Sequence, residues 1–184
     1  AIAETEIRAV LGDRIEITRQ TFFDRSSGSV RVREAVRIGA IVLTDRQLPA
    51  PKGEDADAAI LEALQTNGLG ILDCGKQATI LRRRLAWLRT GLGDPWPDVS
   101  DEALAASLDD WLAPCLGGNA SLAAIGDGTL SQALLSLVPH DLQRRVDTLA
   151  PTHYRAPSGS SVPIRYDEEG PVLAIRVQEL FGLD

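Results

Sequence analysis

Through Val30-Arg31-Val32-Arg33-Glu34-Ala35-Val36-Arg37-Ile38, aliphatic residues alternate with arginines, interrupted only at Glu34 and Ala35. Side chains of a strand point alternately to its two faces. The segment therefore reads as a half-buried strand, valines inward and arginines outward. A preceding strand, Ile15 to Phe23, joins it through Asp24-Arg25-Ser26-Ser27-Gly28-Ser29, a turn sequence in which glycine supplies positive φ. A third strand is expected at Ala40 to Leu43, and Pro49-Ala50-Pro51-Lys52-Gly53 closes the region.

The period then changes. Ala56, Ile60, Ala63 and Leu64 fall on one helical face, with Asn67-Gly68 as the stop. Leu81, Leu85, Leu88 and Leu92 repeat the pattern. Leu104, Leu108, Trp111, Leu112 and Cys115 form a third stripe, opened by Ser100-Asp101-Glu102. Thr129 and Gln132 fit a capping box before Leu130, Ala133, Leu134 and Leu137, and Leu142, Val146 and Leu149 make the last stripe. Five amphipathic helices with short loops predict a helical bundle.

Alternation returns after Pro151, at Val162, Ile164 and Tyr166, and a β-rich run follows from Val172 to Val177 beyond the turn Asp167-Glu168-Glu169-Gly170. The turn Ala156-Pro157-Ser158-Gly159-Ser160-Ser161 echoes Arg25-Ser26-Ser27-Gly28-Ser29. The expected fold is α+β. A small antiparallel β unit, of which an OB-like barrel is one form, would be built from residues 1–49 and 151–184 and interrupted by a helical bundle over residues 50–150. The C-terminal strands need that partnership, because an isolated hairpin is marginal in water.

A chain of 184 residues supports one ordinary core or two small ones. It has no methionine, even at position 1, which reads as a piece of a longer protein. The net charge of −7 argues against a surface that grips nucleic acid all over and leaves room for a local basic face. Two cysteines, Cys74 and Cys115, are too few for a disulfide-built secreted fold and read as reduced thiols. Ala1 to Val10 lacks the basic start and apolar core of a secretory signal, and no apolar stretch reaches membrane-spanning length. A cytoplasmic chain without membrane contact is expected.

Several chemical signatures fail on inspection. Gly70-Ile71-Leu72-Asp73-Cys74-Gly75-Lys76-Gln77 has the glycine and lysine spacing of a phosphate loop, but Gln77 stands where a hydroxyl must hold Mg²⁺. A loop feeding a helix at Ala78, with Gly75 as a turn, explains it. The cysteines, and the histidines His140 and His153, are too far apart in sequence to seed a zinc site, so no metal is expected. His140 reads as a helix start, and His153 as a packing or hydrogen-bonding residue of the β unit. Ser158, Ser160 and Ser161 lack a nucleophile elbow and sit in a turn. Asp109-Asp110 and Asp167-Glu168-Glu169 read as solvated charge. No catalytic residue is assigned.

The arginines alone have direction. Arg31, Arg33 and Arg37 should leave one face of a strand, with Arg165 and Arg176 on neighbouring strands, and such a strip would suit a phosphate backbone. The alternative is a solvated face paired with Glu16, Glu34 and other acids, which the overall negative charge favours. In Arg82-Arg83-Arg84, spread over three helix directions, one arginine should be solvated and another paired with an acid of the bundle.

Longer blocks carry a resemblance. They are Arg37 to Leu43 with Leu48-Pro49, Leu81 to Arg89, Pro95 to Ser100, Asp110 to Pro114, and Ala150-Pro151-Thr152-His153-Tyr154. Pro157 to Ser160, Ile164-Arg165-Tyr166 and Pro171 to Gly182 follow. In this order they resemble the C-terminal part of HrpB-type ATP-dependent helicases, bacterial relatives of the DEAH-box RNA helicases. The resemblance implies a parent that couples ATP hydrolysis, with Mg²⁺, to movement on or unwinding of RNA or a related nucleic acid. The family's nucleotide site lies in two RecA-like domains upstream, so no catalytic position carries over and no cofactor is expected here. The family also continues past Gln178-Glu179-Leu180-Phe181-Gly182 into a basic, aromatic-containing tail, whereas this chain stops at Asp184. The resemblance places the chain among helicase-associated regions, where the analogue is an oligonucleotide-binding-like β unit.

Three functions remain in play. The first is an accessory region that holds single-stranded RNA or DNA or braces the motor domains. The second is a protein-interaction or structural module with no nucleic-acid contact, and the third a free-standing enzyme. A contiguous positive strand face would favour the first, an exposed apolar patch the second, and a pocket with convergent titratable groups the third.

Overall fold

A computed structural model describes residues 15–176. Among them, the chain up to Leu72 with Leu116–Ala124 forms one compact unit, and Asp73–Cys115 with the chain from Ile125 forms another.

The first unit is a sheet with one helix. Strands β1 (Ile15–Asp24), β2 (Ser29–Ile38) and β3 (Ile41–Leu48) pair antiparallel in the order β1-β2-β3. The third strand runs further than its sequence signal, to Leu48. A register shift at Val36/Arg37 lets β3 follow β2 past the bulge. Helix α1 (Glu54–Asn67) buries Ala56, Ile60, Ala63 and Leu64, the predicted stripe, and ends at Gly68, whose N–H donates to the Leu64 carbonyl at 2.9 Å. The segment 116–124 closes this unit: the Val30 N–H donates to the Ala120 carbonyl at 2.7 Å, and the Leu122 N–H to the Gly28 carbonyl at 3.0 Å.

The second unit is helical with a small sheet. Helix α2 (Gly75–Leu92) runs along it. The predicted stripe from Leu104 is split at Ser107 into α3 (Asp101–Ala106) and α4 (Leu108–Trp111), although Leu104, Leu108, Trp111 and Leu112 are all buried as expected. Helices α5 (Asp127–Ser136), α6 (His140–Gln143) and α7 (Val146–Leu149) follow. His140 begins α6 as expected, and the last stripe is likewise two short helices. Strands β4 (His153–Arg155), β5 (Ser161–Asp167) and β6 (Gly170–Leu173) form a second antiparallel sheet, order β4-β5-β6. Trp87 of α2 meets Tyr166 of β5 at a ring-centroid distance of 5.7 Å, and the Tyr166 hydroxyl donates to the Pro151 carbonyl at 2.7 Å.

The α+β class stands, with three corrections. The strands from the two ends of the chain do not share one sheet: each pairs with its sequence neighbour across a short turn, and among the described residues no barrel closes. Local hairpins close smaller loops than a sheet joining both chain ends would. The last strand stops at Leu173, and the Val177 end expected for it lies outside the described residues. The Thr129–Gln132 capping box does not form, because α5 begins earlier, at Asp127, with Gly126 before it and no side-chain cap.

Asp127 instead caps another helix. Its carboxylate accepts from the Ala78 N–H at 2.7 Å and the Gln77 N–H at 2.8 Å, at the start of α2. Those amides hold the Asp127 carboxyl below the usual carboxylate range, Ala78 contributing most. Here the phosphate-loop lookalike is explained: the amides after Gly75 are filled by the protein's own carboxylate. Gly75 has φ +64°, and a Cβ there would lie 2.5 Å from the Asp127 Cγ. Gly75→Ala should therefore cost about 1–3 kcal/mol from backbone strain and overlap. Combined with Asp127→Gly, which removes the Cγ, Cβ and Oδ1 that the new Cβ would meet at 2.5, 2.7 and 2.9 Å, it should cost less than the two single changes added together; urea unfolding of the four forms of this cycle measures the coupling.

Candidate functional site

Cross-strand partners in an antiparallel sheet share a face, so the register of the first sheet sorts its charges. Arg31, Arg33 and Arg37 of β2 do share one face, as the alternation predicts. With them lie Glu16 and Asp24 of β1 and Asp45 of β3, three acids against three arginines. Arg33 makes a bidentate pair with Asp45, 2.5 Å from Nε to Oδ1 and 2.5 Å from Nη2 to Oδ2. That pair holds the Asp45 carboxyl below its ordinary value and raises the guanidinium. Arg31 Nε lies 3.8 Å from an Asp24 oxygen, too long for a hydrogen bond, and is buried without a partner. Arg37 is exposed and makes no ion pair among the described residues. Arg165 is on β5 in the second sheet, donating to Asp167 at 2.9 and 3.1 Å, and Arg176 is exposed beyond β6. The five predicted arginines therefore fall three on one sheet face and two in the other unit.

The opposite face of the first sheet holds what sequence reasoning missed. Its cross-strand rows are Ile15–Ile38–Ile41, Ile17–Val36–Thr44, Arg19–Glu34–Arg46, Thr21–Val32–Leu48 and Phe23–Val30. Glu34, expected to pair with the β2 arginines, points away from them, into the valine face. It is 5% exposed there. Arg19 Nε donates to one carboxylate oxygen at 3.0 Å, and Arg46 donates to the other through Nε at 3.0 Å and Nη2 at 2.7 Å. These bonds, Arg46 first, hold the Glu34 carboxyl below its usual value. The one legible signal was parity: Glu34 occupies a valine position in the alternation.

In the second unit, an 850 Å³ cleft lies between α2, the Asp98–Ser100 loop and the β5–β6 turn, with Arg83, Trp87, Tyr166 and Glu168 on its walls. Two of its cations are occupied. Arg82 donates to the Val99 carbonyl and to Asp101, both at 2.7 Å, and Arg89 to Asp94 and to the Trp96 carbonyl. Arg84, buried, donates to the Ala150 carbonyl and to Asp147, while Arg83 stays exposed, the division expected of that cluster. Burial pushes the Cys74 thiol in the cleft above its ordinary pKa, away from a reactive thiolate. Among the described residues no three potential metal ligands converge, and no helix is long and apolar enough to cross a membrane.

The described residues form a mixed helix-and-sheet region whose charges largely pair with one another. The family model described as the ATP-dependent helicase C-terminal region, HrpB_C, matches residues 111–184. The chain is 35% identical over 162 residues to the ATP-dependent RNA helicase HrpB of Escherichia coli strain K12, across 87% of this chain and 20% of that protein. The crystal structure of the E. coli DExH-box NTPase HrpB aligns over 99% of this chain and 23% of its own, with a TM-score of 0.70 and 31% identity. A second, of the E. coli DEAH/RHA helicase HrpB, aligns over 92% and 22% with a TM-score of 0.70 and 33% identity. The chain belongs to the HrpB-type helicases and corresponds to their C-terminal region, spanning about a fifth of the length of its curated relative. The Gln178–Gly182 block of the resemblance lies outside the described residues.

The β1–β2 turn makes a pH prediction. Hydrogen bonds from the Ser26 hydroxyl, then the Ser27 hydroxyl and the Ser26 amide, pull the Asp24 carboxyl down to about 2. A folded-state pKa below the unfolded one adds stability that is present above about pH 4 and is lost as pH falls toward 2. In an NMR titration, the Ser26 amide should move with a midpoint near 2 in the native protein and near 4 in the urea-unfolded chain.

Proposed function

We propose that this region is a non-catalytic accessory part of an ATP-dependent RNA helicase, and that it braces the parent's motor domains by docking on them. In this reading the parent works in the cytoplasm, and ATP, Mg²⁺ and the hydrolytic site belong to the rest of it. The supporting observation is the uncovered end of the first sheet. Ile17 and Ile41 are 62% and 65% exposed and share one face with Ile38 and Val36. Two exposed isoleucines on one sheet face, with half-buried Ile15 and Ile38 on the same face, support an apolar interaction surface. The arginine face, with as many acids as arginines, offers less to a phosphate backbone.

A second reading gives the region direct contact with single-stranded RNA or DNA through Arg31, Arg33, Arg37, Arg165 and Arg176. What favours it is that Arg37 and Arg176 are exposed without an ion pair among the described residues.

The bracing reading is tested by I17E/I41E in the full-length parent. Limited proteolysis should release this region severalfold faster than from the unmodified parent, while the isolated chain keeps its melting temperature, because both side chains are already in solvent. Unchanged release would reject docking through this sheet end.

A further inference from the structure

The Arg19–Glu34–Arg46 row crosses the inner face of the first sheet directly beside the exposed isoleucines. Its geometry is asymmetric. The carboxylate is buried, whereas the side chains of Arg19 and Arg46 are 70% and 64% exposed. Glu34 takes only Nε of Arg19, and only Nε and Nη2 of Arg46. Both Nη groups of Arg19 and Nη1 of Arg46 have no partner among the described residues. The row carries two cations and one anion, a surplus of one positive charge.

An arginine held on a fixed carboxylate has already lost much of the side-chain freedom that binding would otherwise remove. Two such forks flanking one acid keep N–H donors that Glu34 does not take, which a second carboxylate can satisfy by charge-assisted bonds. The two flanking rows, Ile17–Val36–Thr44 and Thr21–Val32–Leu48, are mostly aliphatic and hold no aromatic residue; Phe23, half-buried, lies a further row away with Val30. Aliphatic side chains give a nucleobase no stacking platform, whereas nucleic-acid sites without sequence preference rely on aromatic ones. The surface suits an apolar polypeptide segment that carries an acidic residue.

We propose that Arg19 and Arg46, oriented by the buried Glu34, form a carboxylate-recognition site within the docking surface, and that its occupant is an acidic, apolar segment of the parent's motor domains. This deepens the bracing reading and rests on it. Glu34 is the positioning residue, and Arg19 and Arg46 make the contact.

Hydrogen–deuterium exchange in the full-length parent tests the site. Amides of β1 and β3 should exchange more slowly in the parent than in the isolated chain. R19Q/R46Q strands the buried Glu34 and should speed exchange in the isolated chain as well, so the charge-free variant R19Q/E34Q/R46Q carries the test. It should speed exchange about tenfold or more in the parent, the lower end for an interfacial charge pair, and clearly less in the isolated chain. Equal acceleration in parent and isolated chain would mean that the row is only structural and would overturn the site. If I17E/I41E releases the region while R19Q/E34Q/R46Q does not, docking stands and carboxylate recognition fails; if neither has an effect, both fail. Single-stranded RNA binding by the parent that R19Q/E34Q/R46Q abolishes, without faster exchange, would assign the forks to phosphate and also overturn the proposal.

Discussion

A carboxylate buried beneath two guanidinium groups ties the three strands of the first sheet together. Glu34 sits on the central strand, and its partners come one from each edge strand, so a single residue bridges both ladders. Such a row resists a register slip, since moving either edge strand by one residue would carry its arginine to the opposite face and leave a buried charge unmatched. The same pairing rule holds on the other face, where Arg33 is committed to Asp45 and Arg31 lies against Asp24. An arginine facing its own acid must give up that partner before it meets a phosphate. A face that looks basic in one strand's sequence is close to neutral once its neighbours are in place.

The second unit follows the same logic of internal satisfaction. Asp127 fills the amides at the head of α2, Arg84 is sunk onto the Ala150 carbonyl and Asp147, and Arg82 and Arg89 are spent on nearby carbonyls and acids. Groups that in isolation suggest a phosphate loop or a basic cluster are structural ties. On the valine face of the first sheet, Ile17 and Ile41 stay open to solvent beside the exposed side chains of Arg19 and Arg46. That combination fits a region whose work is done by contact with a larger protein.

Much of this was legible in the sequence. Alternation placed β1 and β2 and gave Arg31, Arg33 and Arg37 a common face, because period two is a local property of the strand. The stripe from Ala56 to Leu64 and the stop at Gly68 marked α1 for the same reason. The sequence blocks around Trp87, Trp96 and Tyr166 carried the family. The partners of each charge were not legible: register is set between strands, so neither the Arg33–Asp45 pair nor the burial of Glu34 can be counted off along one segment. The sharing of a sheet by the two chain ends was misjudged because similar turn sequences mark similar hairpins without saying that they pair. The break at Ser107 was hidden because short helices in succession keep a stripe apolar across a kink.

In the bracing reading this region contributes by protein contact, and the arginine face of its first sheet carries as many acids as arginines, with Arg33 bound to Asp45. Fluorescence anisotropy of labelled single-stranded RNA with the isolated chain, over a salt series, tests it most directly. The account predicts weak binding with a shallow salt slope that R31A/R33A/R37A leaves unchanged. Tight binding that falls steeply with salt and is lost in that triple variant would contradict it.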